Sequence, residues 1–230
     1  MKKYFVLLIA LLSFITLGCS DDEEVTSELS AADLTAFESL AQYNGYTEDD
    51  VRKIAGVLQK CGVDVKKLKC ADGRIYKGSH INDGSFFVLF DEASDDIIEI
   101  KVNSQLVDKK VKVHSVEFNS SYDAYKDGDY GDHKAKDFIL SNEVKEKIQA
   151  DILDKLENKY KRNNVQIQSA DFNQVQALAK DKEKLGLSVR VKWTEKDATF
   201  GAKKDKMEEK CFYYSTEGKF YQSDLDEKKN

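Results

Sequence analysis

From residue 30 onward the apolar positions change period along the chain, and each change marks an element. Leu34, Phe37, Leu40 and Ala41 recur at helical spacing. Ser30 and Asp33 ahead of them have the outline of a capping box, and Asn44-Gly45 stops the run. Thr47 and Asp50 cap a second helix with the stripe Val51, Ile54, Ala55, Leu58 and Cys61, ended by Gly62. The spacing therefore predicts an N-terminal helical hairpin. From residue 65 the period shortens toward two. Ala71-Asp72-Gly73 is a hairpin-turn signal inside 67–76. Strands are predicted at 85–91 (SFFVLFD), 97–103 (IIEIKVN) and 111–118 (VKVHSVEF). In the last of these Val111 and Val113 alternate with polar residues. The pattern then shifts by one, so that Val116 and Phe118 follow on, as in a sheet with one wet face.

Ser141 caps the longest predicted helix. Val144, Ile148, Ile152, Leu156 and Tyr160 fall at strict i+4 spacing, with Leu153 beside them. Glu143/Lys147, Asp151/Lys155 and Glu157/Lys161 are oriented as i,i+4 pairs on the wet side. Residues 165–169 and 187–194 read as strands. Residues 170–185 fit either a helix carrying Phe172, Val175, Leu178 and Ala179 or the arm of a long hairpin. Segments 211–214 and 219–222 pair across Thr216-Glu217-Gly218. Helices precede strands twice. The expected class is α+β, with the helical hairpin and the long central helix packed on antiparallel sheet. CADGRIYKG at 70–78 echoes YSTEGKFYQS at 214–223, so the two helix-then-strands halves are candidates for related units. The expected division is a signal peptide at 1–18, a tether at 19–29, and α+β units at 30–120 and 138–230. A Tyr- and Asp-rich loop at 121–137 joins the units, and one domain is the alternative to two.

The N-terminus carries an address. Residues 1–18 read MKKYFVLLIALLSFITLG: Lys2 and Lys3, then an apolar run over 5–17 too short to span a bilayer. Gly18 and Cys19 follow. This resembles a bacterial lipoprotein signal, in which the cysteine is lipidated and the peptide is cut before it. The resemblance implies Cys19 as the lipidation site and the membrane as a partner through the lipid anchor. Two or three acyl chains hold a bilayer stably where one would be marginal. Ser20, Asp21, Asp22, Glu23 and Glu24 come next. They resemble the lipoprotein export signal of Bacteroidota, which implies an outer-membrane protein facing the cell surface.

Charge and chemistry narrow the function classes. The formal charge is −6, and loss of Lys2 and Lys3 with the signal makes it −8. That acidity argues against nucleic acid as a partner. Cys61, Cys70 and Cys211 are an odd set beside Cys19. Cys70–Cys211 and Cys61–Cys70 are the candidate disulfides, with three unpaired thiols as the alternative. The cysteines and the three histidines lack zinc-ligand spacing, and no nucleophile elbow, zinc-protease motif or phosphate loop occurs. No cofactor is implied, and no catalytic residue is assigned. The 121–137 loop, SYDAYKDGDYGDHKAKD, offers two chemistries. Asp127, Asp129 and Asp132 are a weak calcium set outside the EF-hand order. Tyr122, Tyr125 and Tyr130 are candidate ligand-binding residues, since amphipathic rings stack on sugars and are cheap to order. The expected function is a lipid-anchored, non-catalytic binding or interaction module, with a glycan or an envelope protein as its ligand. The alternatives are an envelope accessory subunit and a small hydrolase whose site shows no motif.

Overall fold

Capping side chains start both α-helices of the computed structural model, which describes residues 29–38, 45–70, 76–77, 83–196 and 205–226. Helix α1 (Glu48–Lys60) begins at Thr47, whose hydroxyl accepts from the Asp50 N–H at 3.2 Å. Asp50 Oδ2 answers by accepting from the Thr47 N–H at 2.9 Å. The predicted stripe of α1 is its buried face: Val51, Ile54, Ala55, Leu58 and Cys61 all lie in the core. Gly62, at φ 81°, ends the helix, and its N–H donates to Gln59 O at 2.8 Å. Before α1 the chain forms a 3-10 helix (Ala31–Phe37) over the first part of the predicted helix, and Glu38 after it is α-helical. Three residues per turn put Leu34 and Phe37 in line, and both are buried. The remainder of the predicted first helix, at 39–44, lies outside the described residues.

The first sheet is antiparallel, in the order β1 (Leu68–Cys70), β3 (Asp83–Asp91), β4 (Asp96–Val107), β5 (Lys110–Phe118), β6 (Tyr122–Lys126), β7 (Asp129–Tyr130). Strand β2 (Tyr76–Lys77) also pairs with β3. The predicted turn at Ala71-Asp72-Gly73 falls between β1 and β2, outside the described residues. Along β1 the partners on β3 are Leu89, Val88 and Phe87, and along β2 they are Gly84 and Asp83. The chain therefore runs on in one direction from β1 to β2, and the reversal comes between β2 and β3. The shift read in VKVHSVEF is a β-bulge: Asn103 pairs with Ser115, then Ser104 with Val113, leaving His114 as the extra residue.

A correction concerns 121–137. Its first part is a hairpin, β6 and β7, turning through Asp127 (φ 45°) and Gly128 (φ 108°). Positive φ at both central residues is the turn that matches strand twist, and Asp-Gly favours it. Tyr122 and Ala124, ahead of this turn on β6, are buried.

Helix α2 (Asn142–Asp154) starts at Ser141, whose Oγ accepts from the Val144 N–H at 3.3 Å. The predicted helix reaches Tyr160, but its last turn, Lys155–Lys159, is a wider π turn in which the Tyr160 N–H donates to Lys155 O at 2.9 Å. There Tyr160 meets Phe212 and its hydroxyl donates to Asp226 Oδ1 at 2.9 Å, so tertiary contacts decide where the helix ends. Ile148, Ile152 and Leu156 are fully buried. Of the expected pairs Asp151–Lys155 forms at 3.2 Å, while Lys147 reaches Glu217 O at 3.0 Å.

The second sheet follows the order β12 (Phe220–Ser223), β11 (Asp205–Ser215), β10 (Asp181–Lys196), β8 (Gln166–Phe172). Strand β9 (Gln176–Leu178) continues along the β8 side of β10, so 170–185 is a hairpin arm and not a helix. The break between β8 and β9 docks on the first sheet. Asn119 Nδ2 donates to Val175 O at 2.6 Å, and Asn119 Oδ1 accepts from the Glu99 N–H at 2.9 Å. Ser121 Oγ accepts from the Ala177 N–H at 3.1 Å. Buried residues of both sheets form one continuous cluster. The class is thus α+β, two antiparallel sheets with a few helices. Among the described residues no helix is long and apolar enough to cross a membrane.

Candidate functional site

Helix α1 packs on β5, and its C-terminal end meets the β6–β7 hairpin, where Lys60 reaches Tyr130. Lys53, Val57 and Lys60 recur at i, i+4 and i+7, so they share one face of α1. Lys110 and Lys112 alternate with the buried Val111 and Val113 on β5. Between these two lysine rows and the hairpin lies a groove of about 550 Å³. Val57, Val111, Val113 and Tyr125 give it apolar lining, and Tyr130 and Asp127 line it as well. Asp50 ties the walls together: its Oδ1 accepts from the Val111 N–H at 2.8 Å.

Tyr125 and Tyr130 are a cross-strand pair with ring centroids 4.9 Å apart and planes tilted by 55°. Tyr130 is exposed and Tyr125 half-buried. Lys60 and Lys134 each place Nζ 5.7 Å from the Tyr130 centroid. Burial, with Cys61 and Tyr125 nearby, pushes the Tyr130 phenol up to about 12. It is a neutral hydrogen-bonding group at ordinary pH. Gly131 permits the close return of the chain: a Cβ there would meet Tyr122 Oη at 2.4 Å.

Tyr122, the third tyrosine predicted for ligand, is instead part of the core. Its hydroxyl accepts from the His133 N–H at 2.8 Å, and its ring packs on Phe138 and His133. The weak calcium set does not converge: Asp127, Asp129 and Asp132 belong to no metal-binding group of three among the described residues. Asp127 turns to His114, with Oδ1 3.2 Å from Nδ1, and its N–H donates to His114 O at 2.8 Å. His114 Nε2 is buried.

The candidate disulfides Cys70–Cys211 and Cys61–Cys70 are not formed. Cys61 sits buried at the end of α1, 3.5 Å from Ala124 O. Cys70 is exposed on β1 of the first sheet, and Cys211 lies on β11 of the second. Burial pushes the Cys61 thiol up to about 12, against the pull of Lys134, which leaves it an inert packing group. A second depression, of about 610 Å³, lies by His133, Glu183 and Tyr221. Its imidazole is engaged by the protein, Nε2 lying 2.7 Å from Glu183 O. Cys19, His80 and Ser20, Asp21, Asp22, Glu23 and Glu24 lie outside the described residues.

The four groove lysines, Lys53, Lys60, Lys110 and Lys112, escape a reading of the sequence because each is one of many. The signal for them was the seven-residue spacing on α1 and the two-residue spacing on β5. The Asp127-Gly128 dipeptide between alternating residues was the signal for the hairpin. No family model matches the chain, and no curated protein or solved structure matches it.

Proposed function

We propose that the protein is a lipid-anchored binding module of the outer membrane, facing the cell surface, and that the groove beside α1 is its ligand site. The observation that supports this reading is the Tyr125–Tyr130 pair, which lines a groove of mixed apolar and cationic character. A ring platform with an apolar floor suits a pyranose, which offers a C–H face and hydroxyl edges. The anchor is Cys19, and Asp21, Asp22, Glu23 and Glu24 direct export. At the N-terminus the proposed arrangement is a helical hairpin, in keeping with the burial of Leu34 and Phe37 ahead of α1. The proposal of two related halves draws on two capped helices of 13 residues, each followed by antiparallel sheet.

Two experiments test the proposal. Intact cells are treated with protease, with a form lacking residues 21–24 alongside. Shaving of the natural chain and protection of the deletion support the address. Protection of both, with digestion after lysis, overturns it. A glycan array probed with the natural chain and with Tyr125→Ala and Tyr130→Ala tests the site. Retention on no glycan, or equal retention of all three proteins, removes the groove reading. The second reading is an envelope accessory subunit, favoured by Leu106 and Val107, which are 41 % and 42 % exposed beside the groove. Stoichiometric co-purification with an envelope protein, lost on changing Leu106 and Val107 to Ser, would favour it.

A further inference from the structure

We infer that the ligand of this groove is an acidic saccharide, a pyranose chain bearing carboxylate or sulfate groups. The inference rests on the binding reading above and adds the ligand's charge. The chain is acidic overall, at −6, and eight of its lysines pair with carboxylates among the described residues. Lys145 lies 3.0 Å from Asp96, Lys155 3.2 Å from Asp151, and Lys184 2.8 Å from Asp181. Lys53, Lys60, Lys110 and Lys112 form no such ion pair among the described residues. Four lysines without an ion pair at contact distance among the described residues thus line one groove on an acidic protein, Lys53 also lying near the Asp50 carboxylate. The one carboxylate lining the groove, Asp127, is turned to His114.

Lysines gathered at one groove attract an anionic ligand. Apolar walls reduce solvent screening, which strengthens the attraction over that at an open surface. The two chemistries of the site sit together. Lys60 and Lys134 lie over the Tyr130 ring, 5.7 Å from its centroid, so a saccharide held beside this ring has its acidic substituent within cationic reach. A neutral glycan gains nothing from the lysines. A polynucleotide is repelled by the rest of the surface. An acidic peptide satisfies the lysines but has no pyranose face for the tyrosine pair.

The test is calorimetric titration of the full chain, purified in detergent, at low and high salt. The probes are polygalacturonate oligosaccharides, dextran sulfate, neutral dextran and poly-glutamate. Thermal unfolding of each variant establishes that it is folded. The expected result is salt-sensitive binding of polygalacturonate or dextran sulfate and none of dextran. Which of the two binds tells carboxylate from sulfate. Lys60→Gln and Lys110→Gln should each weaken binding roughly two- to fivefold, the range for partly exposed ion pairs, and flatten its salt dependence. Tyr130→Ala should weaken it at both salt concentrations. Equal binding of dextran, lost in Tyr130→Ala and untouched by the lysine variants, overturns the acidic class and leaves the groove reading standing. Poly-glutamate binding as tightly, indifferent to Tyr130→Ala, overturns the saccharide. Failure of every probe overturns the acidic class, and the glycan array then decides the groove reading separately.

Discussion

Replacing Asp50 by Ala removes three interactions with one side chain. Oδ2 accepts from the Thr47 N–H at 2.9 Å and the Thr47 hydroxyl at 2.8 Å, and Oδ1 from the Val111 N–H at 2.8 Å. Loss of the cap costs about 1 kcal/mol. The Val111 N–H, buried between α1 and β5, is left without its acceptor, at about 1–3 kcal/mol. The expected destabilisation is therefore about 2–4 kcal/mol. Asp50→Asn should cost less, since one oxygen still accepts. The assay is urea unfolding followed by circular dichroism and by fluorescence of Trp193, the single tryptophan, buried in the second sheet. Superposed shifts in both signals mean that the sheets unfold together, and a shift in circular dichroism alone means that they do not. Burial raises the Asp50 carboxyl, but the hydrogen bonds from Thr47 and Val111, with Lys53 nearby, outweigh it and hold the group below its ordinary 3.8. A depressed carboxylate stabilises the fold above the unfolded-state pKa. The difference between natural and Ala forms should be constant at neutral pH and shrink as pH falls from 3.8 through the folded value. A change under about 0.5 kcal/mol, within the usual range for surface substitutions, or one that grows with acidification, would refute this reasoning.

Gly131→Ala would drive a Cβ to 2.4 Å from Tyr122 Oη and 2.8 Å from Asp123 O. It should destabilise by about 1–3 kcal/mol in the same urea assay, and an unchanged midpoint would show that the hairpin yields. Asn119→Ala removes the side chain joining the two sheets and places Ala at φ 48°, where asparagine is favoured. A loss of about 2–4 kcal/mol is expected from the two orphaned backbone groups, and thermal unfolding at its natural midpoint would contradict it. Iodoacetamide, read out by peptide mass spectrometry, should modify the exposed Cys70 in the folded chain and the buried Cys61 only after denaturation. Equal rates at both would mean that α1 opens readily.

Local patterns carried the helices, the capped starts at Thr47 and Ser141, and most strands. Each of these is a repeat along the chain of the same spacing that burial demands: Val51, Ile54 and Leu58 on α1, Ile148 and Ile152 on α2. The bulge at His114 was legible as a one-residue shift in period. Where tertiary contacts decide, the local pattern was silent or ambiguous. Strands β1 and β2 both find their partners on β3, a pairing that no local turn signal records. Residues 170–185 satisfy both periods, and pairing with β10 chose between them. The acidic, glycine-rich composition of 121–137 hid a hairpin whose Tyr122 is core and whose Tyr125 and Tyr130 face the groove. The sequence alone determined the class, the two capped helices and the N-terminal pattern of Cys19 and its acids. Only the tertiary structure decided that lysines from α1 and β5 surround the tyrosine pair. Residues 53 and 112 lie far apart along the chain, and no local spacing records which strand a helix will cover.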